Sequence, residues 1–211
     1  PQQPLPRQRR QQRLIGILGG MSWASTSLYY GELNKLCRER LGGLHSCDLL
    51  LRSVDFAAIE ALQVTGAWDA AGELLADAAC QLEAGGAEFL VLATNTMHKV
   101  APAISARTSV PLLHIADATG AAIVSRSLRR PGLMATAYTM EQAFYTDRLK
   151  AFGLEVVCPE AADRASCQRI IFEELCKDEV VQSSRQEFER IAARLVERAA
   201  AAEEKARAQQ A

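Results

Sequence analysis

Residues 89–100 read FLVLATNTMHKV: four apolar residues and Ala93 lead into Thr94, Asn95 and Thr96, with His98 two positions further on. A short apolar run of this kind predicts a buried strand. Such strands commonly stop at Gly, Pro or Asp, whereas this one stops on two hydroxyls and an amide. Taken singly, Thr and Asn at a strand end are more often caps of the next helix. The alternative is that this strand end holds a ligand.

The overall composition is that of an ordinary globular protein. The 211 residues are 49% hydrophobic and 23% charged, with a formal net charge of -1. A charge this close to zero gives no electrostatic argument for nucleic acid or an anionic membrane as a partner. No apolar run approaches the roughly 20 residues that a membrane span needs. We therefore expect no nucleic acid partner and no membrane association.

The six cysteines are scattered without a CxxC pair: Cys37, Cys47, Cys80, Cys158, Cys167 and Cys176. This pattern is typical of reduced, mostly buried thiols in a cytoplasmic protein. The three histidines are far apart and show no recognisable ligand spacing, so we predict no metal site.

Apolar strands alternate with helical patterns along the first half of the chain. Strands are predicted at Arg13–Gly19, Cys47–Phe56, 87–96 and Val110–Thr119, and helices through Leu28–Leu36, Ala57–Gln63, Trp68–Glu83 and 101–107. This alternation indicates an α/β protein with a parallel sheet.

The second half repeats the pattern less clearly. Strands are predicted at Arg129–Thr139 and 154–160, and helices at Met140–Phe152, at Arg164–Lys177 and from a capping box at Ser184–Glu187. We expect two domains, 13–117 and an incomplete 118–198, between a disordered basic tail (1–12) and an Ala-rich tail (199–211) that is helical or disordered.

Polar residues recur where the predicted strands end. These ends carry Gly19–Ser22, Ser53–Asp55, Thr94–Thr96, His114–Thr119 and Thr136–Thr139. Ligands of open parallel sheets bind at the carboxyl ends of the strands, and the adjacent helix N-termini favour an anion such as a carboxylate. The turn after the first predicted strand reads G-x-x-G-G, which is not the G-x-G-x-x-G pattern of a dinucleotide site. Each of these residues has a simpler interpretation when it is considered alone. Asp55 could cap its helix, and His98 and His114 could be structural residues.

Six segments in unbroken order resemble the aspartate/glutamate racemase family, and most closely its T-N-T-M-H-K-V subgroup. They are IGILGGMSW (15–23), SVDFAAIE (53–60), ATNTMHKV (93–100), PLLHIADATG (111–120), TMEQAFYTDRL (139–149) and IIFEELC (170–176). The similarity covers residues 13–198. It implies two similar domains, each with a parallel sheet flanked by helices, and an active site in the cleft between them. It also implies a free amino acid as substrate, no pyridoxal phosphate (PLP) or other cofactor, no metal, and a homodimer.

The resemblance implies proton removal and return at the α-carbon of an acidic or other amino acid. Thr94 matches the catalytic position, and Met21, Gln63, Thr94, Asn95 and Thr96 match the substrate-binding positions. The family pattern and the strand ends together suggest supporting positions at Ser22, Asp55, His98, Thr136 and Thr139.

Two departures from the family pattern concern the catalytic bases. Relatives typically have C-N-T where this chain has Thr94-Asn95-Thr96, and a threonine hydroxyl is a poor base unless a neighbour activates it. The second thiol, in a G-C-T-E motif, would fall at Arg207, where the chain instead reads AAAAEEKARAQQA. We therefore expect a chain that is C-terminally truncated or divergent, without the family's last strand. Cys158 comes nearest to the cleft among the cysteines, and none is expected to replace that thiol. We expect impaired racemisation, or alternatively a non-catalytic carboxylate binder.

Overall fold

A computed structural model describes residues 12–208, and the side chains of residues 12–201. A parallel sheet of four strands forms its centre: β1 (Ile15–Gly19), β2 (Leu49–Ser53), β3 (Phe89–Leu92) and β4 (Leu112–Leu113). The strand order is β2-β1-β3-β4. In this register Ile15 lies beside Leu49 on one side and Phe89 on the other. The predicted α/β class, with a parallel sheet flanked by helices, is confirmed.

Helices connect these strands across both faces of the sheet. They are α1 (Trp23–Leu41), α2 (Phe56–Val64), α3 (Trp68–Ala84), a 3-10 turn at Thr96–Val100, α4 (Ala101–Arg107) and α5 (Ile115–Ser125). The second half adds α6 (Ala137–Glu141), α7 (Ala143–Lys150), α8 (Ala161–Glu173), a 3-10 turn at Leu175–Lys177 and α9 (Gln182–Ala208).

The main core lies on the sheet face that α2, α3 and α4 cover. Leu18, Leu90 and Leu92 point from neighbouring strands into this core, where they meet Ile59 and Leu75. All five side chains are at most 1% exposed. Alternation along each strand sends Ile15 and Ile17 to the opposite face, which packs against α1.

The turn after β1 brings two backbone segments into close contact. Gly20 has a φ of +95°, and a Cβ at this position would lie 2.2 Å from the carbonyl oxygen of Val54. The amide of Val54 donates to the carbonyl of Gly19 at 3.0 Å. Only glycine fits here, because a side chain would meet backbone in a conformation it disfavours.

The predicted strand Val110–Thr119 is wrong beyond its first residues. Pairing is limited to Leu112 and Leu113, and the helix α5 begins directly afterwards. The side chain of His114 accepts a hydrogen bond from the amide of Ala116 at 3.2 Å, so it caps this helix. The polar residues Asp117 and Thr119 therefore belong to a helix rather than to a strand end.

Strand pairing in the second half is short. Gly132 and Val157 form an isolated parallel bridge, and the amide of Leu133 donates to the carbonyl of Val157 at 2.9 Å. The expected strand at 129–139 ends early, because α6 starts at Ala137 with the Thr136 hydroxyl accepting from the Thr139 amide as its cap. The expected helix Arg164–Lys177 begins earlier and closes in a 3-10 turn.

The C-terminal helix corrects one further prediction. α9 starts at Gln182, so Ser184 lies inside the helix and forms no capping box. Its hydroxyl instead donates to the carboxylate of Glu174 at 2.8 Å. The predicted Ala-rich tail continues α9 as far as Ala208. Most of the predicted disordered N-terminal tail lies outside the described residues, and Gln12, its last residue, donates to the carbonyl of Ser46.

Candidate active site

A cavity of about 460 Å³ opens where the order of the sheet reverses between β1 and β3. This is where open α/β sheets bind their ligands, because adjacent loops diverge there. Eight residues that the sequence singled out line it: Met21, Ser22, Gln63, Thr94, Asn95, Thr96, Thr136 and Thr139. Folding thus brings together residues from both halves of the chain. We call Gln63, Thr94, Asn95 and Thr96 the polar wall.

Three threonine hydroxyls meet at the boundary between the two halves. The Oγ1 atom of Thr96 lies 2.8 Å from that of Thr136 and 3.4 Å from that of Thr139. The Thr136 and Thr139 hydroxyls are 3.1 Å apart. Hydroxyls can each donate and accept, so this cluster can turn its donors toward an anion in the cavity.

His98 lies behind the polar wall rather than in the cavity, and it is 2% exposed. Its Nε2 accepts from the amide of Ile115 at 3.2 Å, so the ring proton is on Nδ1. Nδ1 then donates to the carbonyl oxygen of Thr94 at 2.7 Å. Burial, followed by the proximity of His114, lowers the pKa of His98 to about 4. The neutral ring therefore fixes the backbone of Thr94 and does not touch its hydroxyl.

Asp55 also lies outside the cavity. Its carboxylate accepts from the amide of Ala57 at 3.2 Å and caps α2. The role as a helix cap, which the sequence left as the simpler interpretation, is the one observed. Through this cap, Asp55 positions the helix that carries Gln63.

Gln63 brings an unpaired acceptor to the site. The residue is 3% exposed, and its Nε2 donates to the sulfur of Met97 at 2.9 Å. Its Oε1 is buried and has no hydrogen-bond partner. A buried acceptor without a partner costs about 1–3 kcal/mol, so a donor from a ligand would be stabilising here.

The opposite side of the cavity, which the sequence did not indicate, comes from residues 171–180. We call this the outer wall; its lining residues are Ile171, Phe172, Leu175, Cys176, Asp178, Glu179 and Val180. The IIFEELC motif runs into it, and that was the signal available in the sequence. Phe172 stacks on Phe56 of α2 at a centroid distance of 6.0 Å, which joins the outer wall to the first half.

Glu174 holds the outer wall in place from behind. Its carboxylate is nearly buried and accepts from Ser184 at 2.8 Å and from Arg169 at 2.9 Å. Its carbonyl accepts from the amides of Lys177 at 2.8 Å and Glu179 at 3.1 Å. This one residue therefore ties α8, the turn at 175–177 and α9 together.

Cys176, rather than Cys158, is the cysteine that lines the cavity among the described residues. Its position in the 3-10 turn after α8, rather than at a strand end, is why the sequence did not indicate it. Burial raises the pKa of this thiol, and hydrogen bonding with Ser22 partly opposes that rise. Cys158, the cysteine that the sequence placed nearest to the cleft, is not among the lining residues; its Sγ contacts the carbonyl oxygen of Met140 at 3.5 Å.

The site offers little to a metal or to PLP. Among the described residues, no group of three or more His, Cys, Asp or Glu side chains is arranged to hold a metal ion. Within the part of the chain that the structure describes, no lysine lines the cavity, and PLP enzymes need one for the Schiff base. Within residues 12–208, no helix combines the length and apolarity that a membrane crossing requires.

Comparison with known proteins identifies the family to which these features belong. The family model described as Asp/Glu/Hydantoin racemase matches residues 18–203. The chain belongs to this racemase family. It is 30% identical to the broad specificity amino-acid racemase RacX of Bacillus subtilis (strain 168) over 149 residues. That alignment covers 68% of this chain and 63% of the relative, so the chain spans less than two thirds of that relative's length.

Two solved structures resemble this chain in both sequence and fold. A Yersinia pestis protein described as a candidate Asp/Glu racemase is 46% identical, with a TM-score of 0.80, over 89% of this chain and 82% of that one. An aspartate racemase homologue from Pyrococcus horikoshii OT3 is 34% identical, with a TM-score of 0.69, over 80% of this chain and 74% of that one. Membership in the family thus rests on sequence and fold together.

Proposed function

We propose that this racemase-family chain binds a free amino acid in the cavity and transfers protons at its α-carbon without PLP. The observation that carries the proposal is the convergence of Thr94, Asn95 and Thr96 with Thr136 and Thr139 around one cavity. A cavity of about 460 Å³ lies within the range of small-molecule sites.

The polar wall and the threonine cluster suit the substrate's α-carboxylate. Removing the α-proton turns the carboxylate into an enediolate-like group with more charge on its oxygens. Hydroxyl and amide donors that are already in place stabilise that charge as it forms. Asn95 and Thr96 supply donors from the first half, and Thr136 supplies one from the second.

Thr94 is the proposed proton-transfer group on the polar wall. No other side chain within the described part of the chain hydrogen-bonds its hydroxyl, which leaves it open to the substrate. Because His98 contacts the carbonyl of Thr94, it positions this residue and does not raise the basicity of its hydroxyl. We therefore expect slow turnover, since an unassisted hydroxyl is a weak base.

The proposal includes the predicted division into two domains, a cytoplasmic location and a homodimer. The threonine cluster and the stacking of Phe56 on Phe172 join the two halves at the cavity, as a cleft between domains requires. The cysteines of the described chain are all free, in keeping with a reducing compartment.

A second candidate function is amino-acid binding without turnover. One observation favours it: burial raises the pKa of Cys176, the thiol of the outer wall, so that this thiol stays protonated at neutral pH. A protonated thiol can return a proton to a carbanion, but it cannot remove one.

Exchange of the α-proton separates the two candidates. Each of a panel of L-amino acids is incubated with the chain in D₂O, and loss of the α-proton signal is followed by NMR, with a heat-inactivated sample as control. Proton transfer predicts exchange above the control for at least one amino acid. Binding seen by calorimetry without any exchange contradicts proton transfer and supports the binder.

A further inference from the structure

We propose that Trp68, Lys99 and Tyr138 are positioning residues that hold the three clustered threonine hydroxyls together across the two halves of the chain. We call these three residues the Trp68 bridge; none of them lines the cavity. The inference rests on the proposed function, because the clustered hydroxyls are the donors assigned there to the substrate's α-carboxylate. It starts from two ring contacts at the boundary between the halves.

Trp68 contacts both halves of the chain through its ring. The ammonium nitrogen of Lys99 lies 3.9 Å from the centroid of this ring, which is a cation–π distance. The Tyr138 ring packs against the same indole in a T-shaped arrangement, with a centroid distance of 5.3 Å and an interplanar angle of 77°. This geometry is a favourable one for an aromatic pair. One indole therefore joins the first half, through Lys99, to the second half, through Tyr138.

Each partner of Trp68 belongs to an element that carries a clustered threonine. Lys99 follows Thr96 by one turn of the 3-10 helix after β3. Tyr138 lies in α6, which Thr136 caps. At the cavity, these same two elements are joined by the hydroxyls of Thr96 and Thr136, which are 2.8 Å apart. The Trp68 bridge therefore ties together, outside the cavity, the two elements whose hydroxyls meet inside it.

The first half of the chain fixes the position of Trp68. This residue is the first of α3, and its side chain packs against the main core. Its amide donates to the carbonyl of Gly66 at 2.9 Å, in a turn where Gly66 has a φ of +70°. The indole is thus a fixed surface against which the 3-10 turn and α6 are aligned.

Lys99 depends on this indole as its partner. Within the part of the chain that the structure describes, its ammonium group forms no ion pair and no hydrogen bond. Burial lowers the pKa of Lys99, as expected for an ammonium group that has given up part of its water. A cation that has lost water gains more from an aromatic face than a fully hydrated one does. Removing the indole therefore frees the turn that carries Thr96.

The hydroxyl contacts alone do not keep the threonines in place. Hydroxyls rotate and exchange partners, and the net contribution of a neutral hydrogen bond is small. When a substrate carboxylate enters, the hydroxyls turn toward it and give up their contacts with one another. The spacing of Thr96 and Thr136 must then be kept by contacts outside the cavity, and the Trp68 bridge is such a contact.

Amide hydrogen exchange on the full 211-residue chain tests the inference without a ligand. The amides of Thr139 and Met140 both donate to the carbonyl of Thr136 at 3.0 Å, so they report on the start of α6. Trp68→Leu removes both ring contacts and should speed the exchange of these amides about 10-fold, while the amides of β3 keep the wild-type rate. Trp23→Leu is the matched control, because Trp23 is also the first residue of a helix, is 56% exposed and does not line the cavity. It should leave exchange in α6 unchanged.

Conservative variants separate the charge and the ring from mere bulk. Lys99→Met keeps the length of the side chain without its charge, and it should speed exchange in α6 about 3-fold. Lys99→Arg keeps a cation over the ring and should retain the wild-type rate. Tyr138→Phe keeps the aromatic pair and should also behave as the wild type.

A kinetic measurement separates positioning from a simple loss of folded protein. The kinetics of α-proton exchange in D₂O are measured with L-aspartate, L-glutamate and L-lysine as probes. Misplaced carboxylate donors in Trp68→Leu should raise KM about 10-fold, whereas kcat should change by less than about 3-fold because Thr94 lies outside the bridge. A variant that is only less folded would show a lower kcat with KM unchanged.

The outcomes keep this inference distinct from the proposed function. Faster amide exchange in the α6 of Trp68→Leu and Lys99→Met, but not of Lys99→Arg, together with a raised KM, supports the bridge. Wild-type amide exchange in the α6 of Trp68→Leu, an equal increase in β3, or a fall in kcat alone overturns it. If none of the three probes exchanges its α-proton, the proposed function fails for these amino acids, while amide exchange still decides whether the bridge holds α6 in place.

Discussion

The two walls of the cavity are built by different means. Thr94, Asn95 and Thr96 of the polar wall follow the end of β3, and Gln63 comes from α2. The backbone of Thr94 is held from behind by His98, a buried neutral ring whose proton is on Nδ1. The outer wall is an irregular segment after α8, tied down by the charged side chain of Glu174. Leu175 and Val180 of the outer wall are exposed, whereas Thr96 and Gln63 of the polar wall are buried. The contrast teaches that the residues proposed for proton transfer and carboxylate binding are held by the buried end of the sheet, whereas the facing side of the cavity is a more exposed surface segment.

The substitution with the largest expected effect lies in the polar wall itself. Thr94→Val keeps the shape of the side chain and removes its hydroxyl. If Thr94 transfers a proton, the rate of α-proton exchange in D₂O should fall roughly 10²–10⁴-fold, as for the loss of a general acid–base group. Thr119→Val, in α5 and outside the cavity lining, should keep the wild-type rate. Equal exchange rates in the two variants would remove Thr94 from the mechanism.

His98, which anchors the backbone of the polar wall, should make the stability of the protein depend on pH. Folding lowers the pKa of His98 from an ordinary value of 6.5 to about 4, so the unfolded chain binds the proton more tightly than the folded one. The contribution of neutral His98 to the unfolding free energy is then complete above pH 6.5. The unfolding free energy should fall by about 3 kcal/mol as the pH drops to 4.

Chemical denaturation at several pH values measures this dependence. His98→Gln should remove most of it, and the exposed control His45→Gln should retain it. Equal slopes for the two variants would contradict the role of His98 as the titrating anchor.

The turn after β1, which carries the cavity residue Met21, gives the next largest expected change in stability. Gly20→Ala places a methyl group against the carbonyl of Val54 at a positive φ, and it should lower the unfolding free energy by about 2 kcal/mol or more. Gly31→Ala is the matched control, because Gly31 lies within α1, a Cβ added there would have no neighbouring atom within 4 Å, and alanine favours a helix. It should raise stability by about 0.5–1 kcal/mol. Equal effects from both substitutions would mean that the turn is not strained.

The smallest expected change in stability concerns Glu174, which anchors the outer wall. Ser184→Ala removes one hydrogen bond to the carboxylate of Glu174 and should lower the unfolding free energy by about 1.5 kcal/mol. Its exposed neighbour Ser183→Ala should change stability by less than about 0.5 kcal/mol. If the loss is confined to the outer wall, amide exchange at residues 175–180 should increase while that of β3 stays constant. A uniform increase would show that the two walls are not independent.

The sequence by itself determined the α/β class, four strand positions of the first half and most of the polar part of the cavity lining. It could do so because buried parallel strands are continuous apolar runs, and because their carboxyl ends meet at one edge of the sheet. The polar endings at Ser22 and Thr94–Thr96 are therefore recognisable as neighbours in space from the order of residues alone.

Only the tertiary structure decided what faces these residues and what lies behind them. Asp55 and His98, which sequence placed with the site, turn out to be a helix cap and an anchor, because hydrogen bonding to nearby backbone competes with exposure to a ligand. Cys176 and Asp178 reach the cavity from an irregular turn, whose course depends on the packing of α8 against α9 and on the buried Glu174. Such long-range contacts leave no periodic trace in the chain, which is why the IIFEELC motif alone did not show that this segment lines the cavity.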